Sequence, residues 1–552
     1  VILLLTLACT HESQLTEQDV PPSPVVSLTS PLAASWHSEG ELQVTGTWEH
    51  VDSVTVNAVP AALEDDGTFE TVVSLSRGLN SVEALGQGTD DTTFDRVGVL
   101  AGTWEDPGQA IDDAVSLRLN EDGIDQATDF AAGLVTEDVV NESVTAMNPV
   151  YEDSYGLWGW DAVEISGDID EITFSEARIE ATPQNGVLAL EVTIPDLFVD
   201  LQAYGQVIGI DFDEDASMES TKAIITGDLL LGVDGAGGLS VALSSPAVEL
   251  KGFSYDTSLL PWDIEDYLFV DTIRGVVEDM LVEKIEEMVP PLLEDLLTGL
   301  DLSMELDLMG APLTVSVAFT QASIDNDGVA LSTRVDASVP MAGTKVYPGF
   351  LGSAPATPDL DTRSPVSGAI SDDLVNLMLF EAWRGGVLDM VLSTDDGSLD
   401  PLMLAPLKAH EGSIQLKANL PPVAVEVDGG LQIQAGELIV DIHSPGGELG
   451  EYLQVAVSVF IGLDITLDNG VAALELGEPE LAMMVLDSDW GASDETTTRL
   501  IEEMLPIDSF MMLLGGLEFP LPALDGLTIS GADIGRDAGT GLHTSMEIEI
   551  AL

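Results

Sequence analysis

Positive charge is almost absent from this chain. Its 552 residues carry 16 Lys and Arg against 98 Asp and Glu, a formal net charge of −82. With so few cations, little is available to displace the counterions of a phosphate backbone. That argues against nucleic acid as a partner and against docking on bare anionic lipid. Cysteine is nearly absent too. The single Cys9 has no partner within the chain, so no internal disulfide staples the fold. Aromatic residues make up 5% of the chain and hydrophobic residues 45%, so the interior must rest on Val, Leu and Ile. No run is long and apolar enough for a transmembrane helix. The six histidines (His11, His37, His50, His410, His443, His543) lack the spacing of a zinc site. There is no Gly-x-Ser-x-Gly elbow and no Walker loop. Neither an enzymatic activity nor a cofactor is therefore expected. Acid clusters such as Asp211, Asp213, Glu214 and Asp215 do not fit the EF-hand spacing and read first as solvated loop acids. The acidic surface as a whole fits a secreted protein in salty surroundings, with specific cation sites as the sharper alternative.

What is present begins at the N-terminus. Residues 1–9 form an apolar run, Val1-Ile2-Leu3-Leu4-Leu5-Thr6-Leu7-Ala8, ending at Cys9. It reads as the tail of a signal peptide whose basic start is missing. A Cys directly after Leu-Ala resembles the bacterial lipobox, in which the thiol is lipidated and becomes the new N-terminus. Lipidation of Cys9 would make this an envelope lipoprotein, anchored at the outer membrane on its periplasmic or surface face. A plain secretory signal with an incidental Cys is the alternative. Residues 10–25, with Pro21, Pro22 and Pro24, form a polar tether.

Residues 26–101 read as a small all-β domain with short strands between turn clusters. Asp66-Gly67-Thr68-Phe69, Val73-Ser74-Leu75 and Gly78-Leu79-Asn80-Ser81-Val82 resemble the pattern of bacterial immunoglobulin-like modules, which usually act as spacers.

Two later stretches share one plan. Leu119-Asn120-Glu121-Asp122-Gly123-Ile124 continues to Gly133-Leu134-Val135. Ile370-Ser371-Asp372-Asp373-Leu374 continues to Gly386-Val387-Leu388. Each has an apolar residue, a helix-capping Asn or Ser, and acids suited to a helix N-terminus. A helix starter repeated in two β-rich halves points to a duplicated unit. The first unit is expected at 102–340 and the second at 366–552, joined by a Pro- and Gly-rich linker at 341–365. In the first, Leu188, Leu190, Val192 and Ile194 share a strand face. A long helix at about 262–300 presents Ile273, Val277, Leu281 and Ile285 at three-four spacing, and Pro290-Pro291 should kink or break it. In the second, a helix at 371–391 precedes the strand Val455 to Leu467, alternating without a fault, and a further helix is expected at about 494–515.

The run at 115–130, the run at 276–308, ISDDLVNLMLFEAWRGGVLDM at 370–390, and the strand patterns at 416–442 and 519–534 together resemble the bactericidal/permeability-increasing and lipopolysaccharide-binding protein family, within the tubular lipid-binding (TULIP) superfamily. The resemblance implies an α+β, mostly β fold: two tandem TULIP-like domains in a boomerang, each a curved antiparallel sheet wrapped around a long helix, preceded here by the immunoglobulin-like sandwich. It also implies a phospholipid or other acyl lipid as ligand, held between helix and sheet. The expected walls are Ile124, Phe130, Leu134, Ile273, Val277, Leu281 and Ile285 in the first unit, and Leu374, Leu377, Trp383 and Val387 facing the strand Val455–Leu467 in the second. The bactericidal members are cationic and disulfide-bonded and this chain is neither, so the lipid cavity carries over better than endotoxin neutralisation. The competing expectation is a scaffold lipoprotein whose tubes are filled by its own side chains.

Overall fold

The computed structural model describes residues 23–551 apart from 90, 146–147, 158–159, 208–209, 258–265, 299–303, 309–310, 341–344, 448–449, 469–470, 491–517, 521–527 and 538. Cys9, the tether up to residue 22 and the helix expected at 494–515 lie outside the described residues.

The N-terminal domain is a β-sandwich. A four-stranded sheet (Val25–Ser30, Gly40–Glu49, Thr68–Leu75, Ala62–Leu63) faces a five-stranded one that includes Gly78–Gln87 and Thr92–Ala101. Alternating residues of both sheets, among them Val44, Val56, Phe69, Val73, Val82 and Val99, fill the space between them.

The two larger units meet in a shared seven-stranded sheet. Strand Ile111–Asn120 pairs antiparallel with Val366–Ser371, with Val115 opposite Ile370, Leu117 opposite Gly368 and Leu119 opposite Val366. Each of these two strands runs straight into a helix: α1 (Glu121–Leu134) from the first and α4 (Asp372–Arg384) from the second. On the outer sides, Gly328–Ser338 flanks the first strand and His543–Ala551 the second, and each closes a hairpin. The two capped starters therefore follow neighbouring antiparallel strands of one sheet. The units are not strung on a free linker. Within 341–365, Phe350–Gly352 pairs with Thr103–Glu105, and Phe350 and Leu351 are buried despite the surrounding prolines.

The first unit's sheet is built on two long strands, Val187–Val207 and Ile210–Val233, paired from Leu188 opposite Leu229 to Val207 opposite Ile210. The partner on the far edge of Val187–Val207 changes midway, from Arg178–Gln184 to Trp160–Thr173. Leu188, Leu190, Val192 and Ile194 point together into the core, as their alternation requires. Helix α3 (Asp266–Thr298) lies on this sheet, packed chiefly against Leu239–Lys251. It runs through Pro290 and Pro291 rather than breaking at them. The carbonyls those prolines leave without a donor belong to Glu286 and Glu287, on the exposed face where water can serve them. A short helix, α2 (Glu137–Thr145), was not expected from the sequence.

The second unit's sheet is centred on Gly430–His443 and Tyr452–Asp468. Val455, Val457, Val459, Ile461 and Leu463 are all buried on one face. Helix α4 ends at Arg384, short of the expected residue 391, because Gly385 and Gly386 follow it. Among the described residues no helix is long and apolar enough to cross a membrane, which leaves a β-barrel unaddressed.

Candidate functional site

The apolar interior of the first unit is assembled from α1, α3 and the sheet. α1 begins where Asn120 Oδ1 accepts from the Gly123 N–H at 3.1 Å. The same side chain donates through Nδ2 to the carbonyls of Thr362 and Ser364, tying the helix start to the approach to the second unit. Gly123 permits this closeness: a Cβ there would lie 2.1 Å from the Pro365 carbonyl oxygen. α1 then buries Ile124, Ala127, Thr128, Ala131 and Ala132. Phe130 is half-buried against the same core. Leu134 does not join them. It is 40% exposed, and Val135, at the helix C-cap, takes the inward position.

On α3, Val277, Met280, Leu281, Ile285, Val289 and Leu293 form one buried stripe. The side chain of Ile273 lies outside the described residues. Lys284 interrupts the stripe only in part. Its stem is buried, and its ammonium reaches Glu287 at 2.6 Å on the exposed side.

Among the described residues, two gaps lie beside α3. One, of about 30 Å³, is bounded by Val276 and Val277 of α3 and by Val150, Ile169, Leu201 and Ala216. The other, also about 30 Å³, lies between Leu293 of α3, Ile124 and Ala127 of α1, and Leu188, Leu231 and Val241 of the sheet. The surface each presents is apolar. At 1.5 Å per residue, Val277 and Leu293 are about 24 Å apart along the helix.

Charge is kept outside this interior. Burial, then repulsion from Glu121, Asp122, Asp129 and Glu180, raises the Asp125 carboxyl of α1 above its ordinary range. Burial, then Asp200, Asp168 and Asp215, does the same for Asp170 on the sheet. Asp211 and Asp213 lie on the strand Ile210–Val233, not in a loop, and accept from Gln206 at 2.7 Å and Gln202 at 2.9 Å.

The second unit is closed around α4. Leu374 and Leu377 are buried and Val387 is half-buried beyond the helix end. Trp383 is 2% exposed, and its Nε1 donates to the Ala418 carbonyl at 2.8 Å. It packs with Phe380 (5.6 Å between ring centres), Tyr347 (6.1 Å) and Trp36 of the sandwich (6.3 Å), with the Lys345 ammonium 4.6 Å from its ring centre. α4 packs mainly on Phe350–Gly352, Val423–Val427 and Gly328–Ser338. Trp383 is thus part of a packed aromatic joint. Its partners lie up to 347 residues away in the chain, beyond the reach of any local pattern. At the start of α4, Arg536 clamps Asp372 with two hydrogen bonds of 2.7 and 2.6 Å.

No protein-family model and no curated protein matches the chain. Among solved structures it is similar to the crystal structure of a lipopolysaccharide binding protein, at 15% identity and a TM-score of 0.42, over 80% of this chain and 99% of that one. It is also similar to the solution structure of latherin, at 15% identity and a TM-score of 0.21, over 33% of this chain and 88% of that one. At these scores neither likeness carries an argument about what this chain binds.

Proposed function

We propose that this protein binds an acyl lipid in its first unit, without catalysing a reaction, and that it works in a bacterial envelope, anchored through a lipidated Cys9. The observation that carries the reading is the pair of gaps along α3, roofed by a helix and floored by a sheet, each presenting apolar surface. Apolar cavities of this kind stay dry and favour apolar guests. Each buried methylene would contribute about 0.8 kcal/mol. At about 30 Å³ each, the gaps hold no chain as they stand, so loading requires α3 to shift from Leu239–Lys251 and join them. The acidic exterior favours a neutral or zwitterionic headgroup. Transfer of the lipid between membranes would extend the same reading.

The filled-scaffold reading is favoured for the second unit by a specific observation, the closure of α4 around Trp383 and Asn376. The deciding experiment is mass spectrometry of lipids extracted from protein purified without detergent, alongside uptake of a fluorescent phosphatidylcholine. Lipid bound at about one per chain, and reduced by Ala216→Val in the first gap, is the expected result. A wild-type protein that neither carries nor takes up lipid sinks the proposal in favour of the scaffold.

A further inference from the structure

The N-terminal sandwich is joined to the second unit by a built interface. Strand Val423–Val427 shows it most directly. Its alternation sends Ala424 inward, where its N–H donates to Asn376 Oδ1 at 2.7 Å and its carbonyl accepts from Asn376 Nδ2 at 3.0 Å. Val423 and Val425 point outward, into a separate buried cluster with Leu79 and Leu100 of the sandwich. One strand therefore has α4 on one face and the sandwich on the other.

Polar groups at the interface are matched. Gln434 Oε1 accepts from the Leu79 N–H at 2.7 Å, and Glu437 Oε1 accepts from the Gly98 N–H. Glu437 sits at φ 52°, in the bulge between Ala435 and Leu438 that aims it at the sandwich. Glycines allow the approach from both sides. A Cβ on Gly78 would lie 2.6 Å from Gln434 Oε1, and one on Gly436 would lie 2.3 Å from Leu79 Cδ1. Arg77 reaches across the edge, donating to the Gly352 carbonyl at 2.7 Å and Ser353 Oγ at 2.9 Å.

We propose that the sandwich is a clamp on the second unit: by covering the outer face of Val423–Val427 it holds that strand on α4 and keeps the second unit closed, so that an apolar guest is confined to the first. A spacer would need none of these contacts. The effect on the guest rests on the lipid-binding reading; the mechanical clamp does not.

The test uses the full chain with Gly436→Leu as a wedge, and Leu85→Asn, on a sandwich residue that is 42% exposed, as a control. Hydrogen exchange is followed at 423–427 and 374–383, with uptake of fluorescent phosphatidylcholine from neutral vesicles. The wedge should speed exchange in both segments at least tenfold while Thr68–Leu75 keeps its protection. It should also raise the uptake rate several-fold, and the control should change neither. Unchanged exchange at 423–427 in the wedge variant overturns the clamp. Faster exchange with no lipid uptake in any form, wild type included, upholds the clamp and sinks the lipid reading. Faster exchange with uptake equal to wild type overturns the link between clamp and guest. If Gly436→Leu also unfolds 187–207, Arg77→Ala decides, with a rise of about threefold at 423–427 expected and no rise overturning the proposal.

Discussion

α1 and α4 start alike and end in different surroundings. Both follow a strand of the shared sheet, both carry a side-chain cap, and both place two acids in the first turn. α1 then buries 6 of its 14 residues, whereas α4 buries 11 of its 13. The sequence already differs in the matching way. α1 reads Glu-Asp-Gly-Ile-Asp-Gln-Ala, with polar positions on most turns, while α4 runs Leu374 to Phe380 with only Asn376 polar. Asn376 is spent on bonding Ala424. A single helix starter thus serves two purposes: α1 lines one of two apolar gaps, and α4 is the packed centre to which the sandwich, the 345–352 segment and the second sheet attach. The two helices share an entry signal and differ in what surrounds it.

The sharpest break of this comparison uses two Arg–Asp pairs. Arg536–Asp372 in the second unit is shut away, with the Asp side chain 7% exposed, while in the Arg118–Asp325 pair of the first unit the Asp side chain is 54% exposed. Asp372→Asn leaves a buried guanidinium without its counter-charge and should cost about 3–5 kcal/mol in a urea melt. Asp325→Asn also strands a guanidinium, the 8%-exposed Arg118, but water reaches the Asp325 side of the pair, so it should cost less, about 1–3 kcal/mol. Equal costs would mean that the two units are equally closed at these positions.

The caps should rank the other way. Asn120→Ala removes a cap and leaves the Thr362 and Ser364 carbonyls without its amide, a loss of about 2–3 kcal/mol. Ser371→Ala removes a cap alone, about 1 kcal/mol. Circular dichroism melts of the two variants would show whether the first unit depends more on its helix entry.

Acid should stabilise the second unit as well as the first, where Asp125 and Asp170 are raised. Burial, the largest cause, raises the carboxyls of Asp373 and Glu381 on α4 and of Glu437 above their ordinary values of 3.8, 4.5 and 4.5. A raised folded-state value means that the native form holds more protons than the unfolded one from those ordinary values upward. Its contribution is complete below them and is lost as pH rises through the folded-state values. Stability should therefore rise on acidification from pH 7.5 toward about 5, and Glu381→Gln should flatten part of that slope. A slope unchanged in that variant would assign the effect to general surface repulsion. The smallest expected change is at Leu134. Its exposure predicts a shift within about 0.5 kcal/mol for Leu134→Ala, against about 2–5 kcal/mol for Leu281→Ala on α3.

Which helix positions turn inward was largely legible in the sequence. Of the residues expected as walls, Ile124, Val277, Leu281, Ile285, Leu374, Leu377 and Trp383 are buried. Leu134 was misplaced because an apolar pair at a helix end gives no sign of which member turns inward. Val387 fell outside its helix because the Gly385-Gly386 pair ends the helix sooner than the apolar pattern does. α2 was missed because nine residues are too few for a 3.6-residue period to stand out.

The sequence by itself determined the aliphatic interior, the two capped helix entries and the alternation of the long strands. Each is a local matter of side-chain type and period, written within a few residues of where it acts. Only the tertiary structure decided that Ile111–Asn120 and Val366–Ser371 lie side by side, that Trp383 meets Trp36, and that Gly78 and Gly436 mark one interface. Those facts depend on pairings between residues hundreds of positions apart. A glycine in a sequence leaves room for a close approach, and only the folded chain shows what makes it.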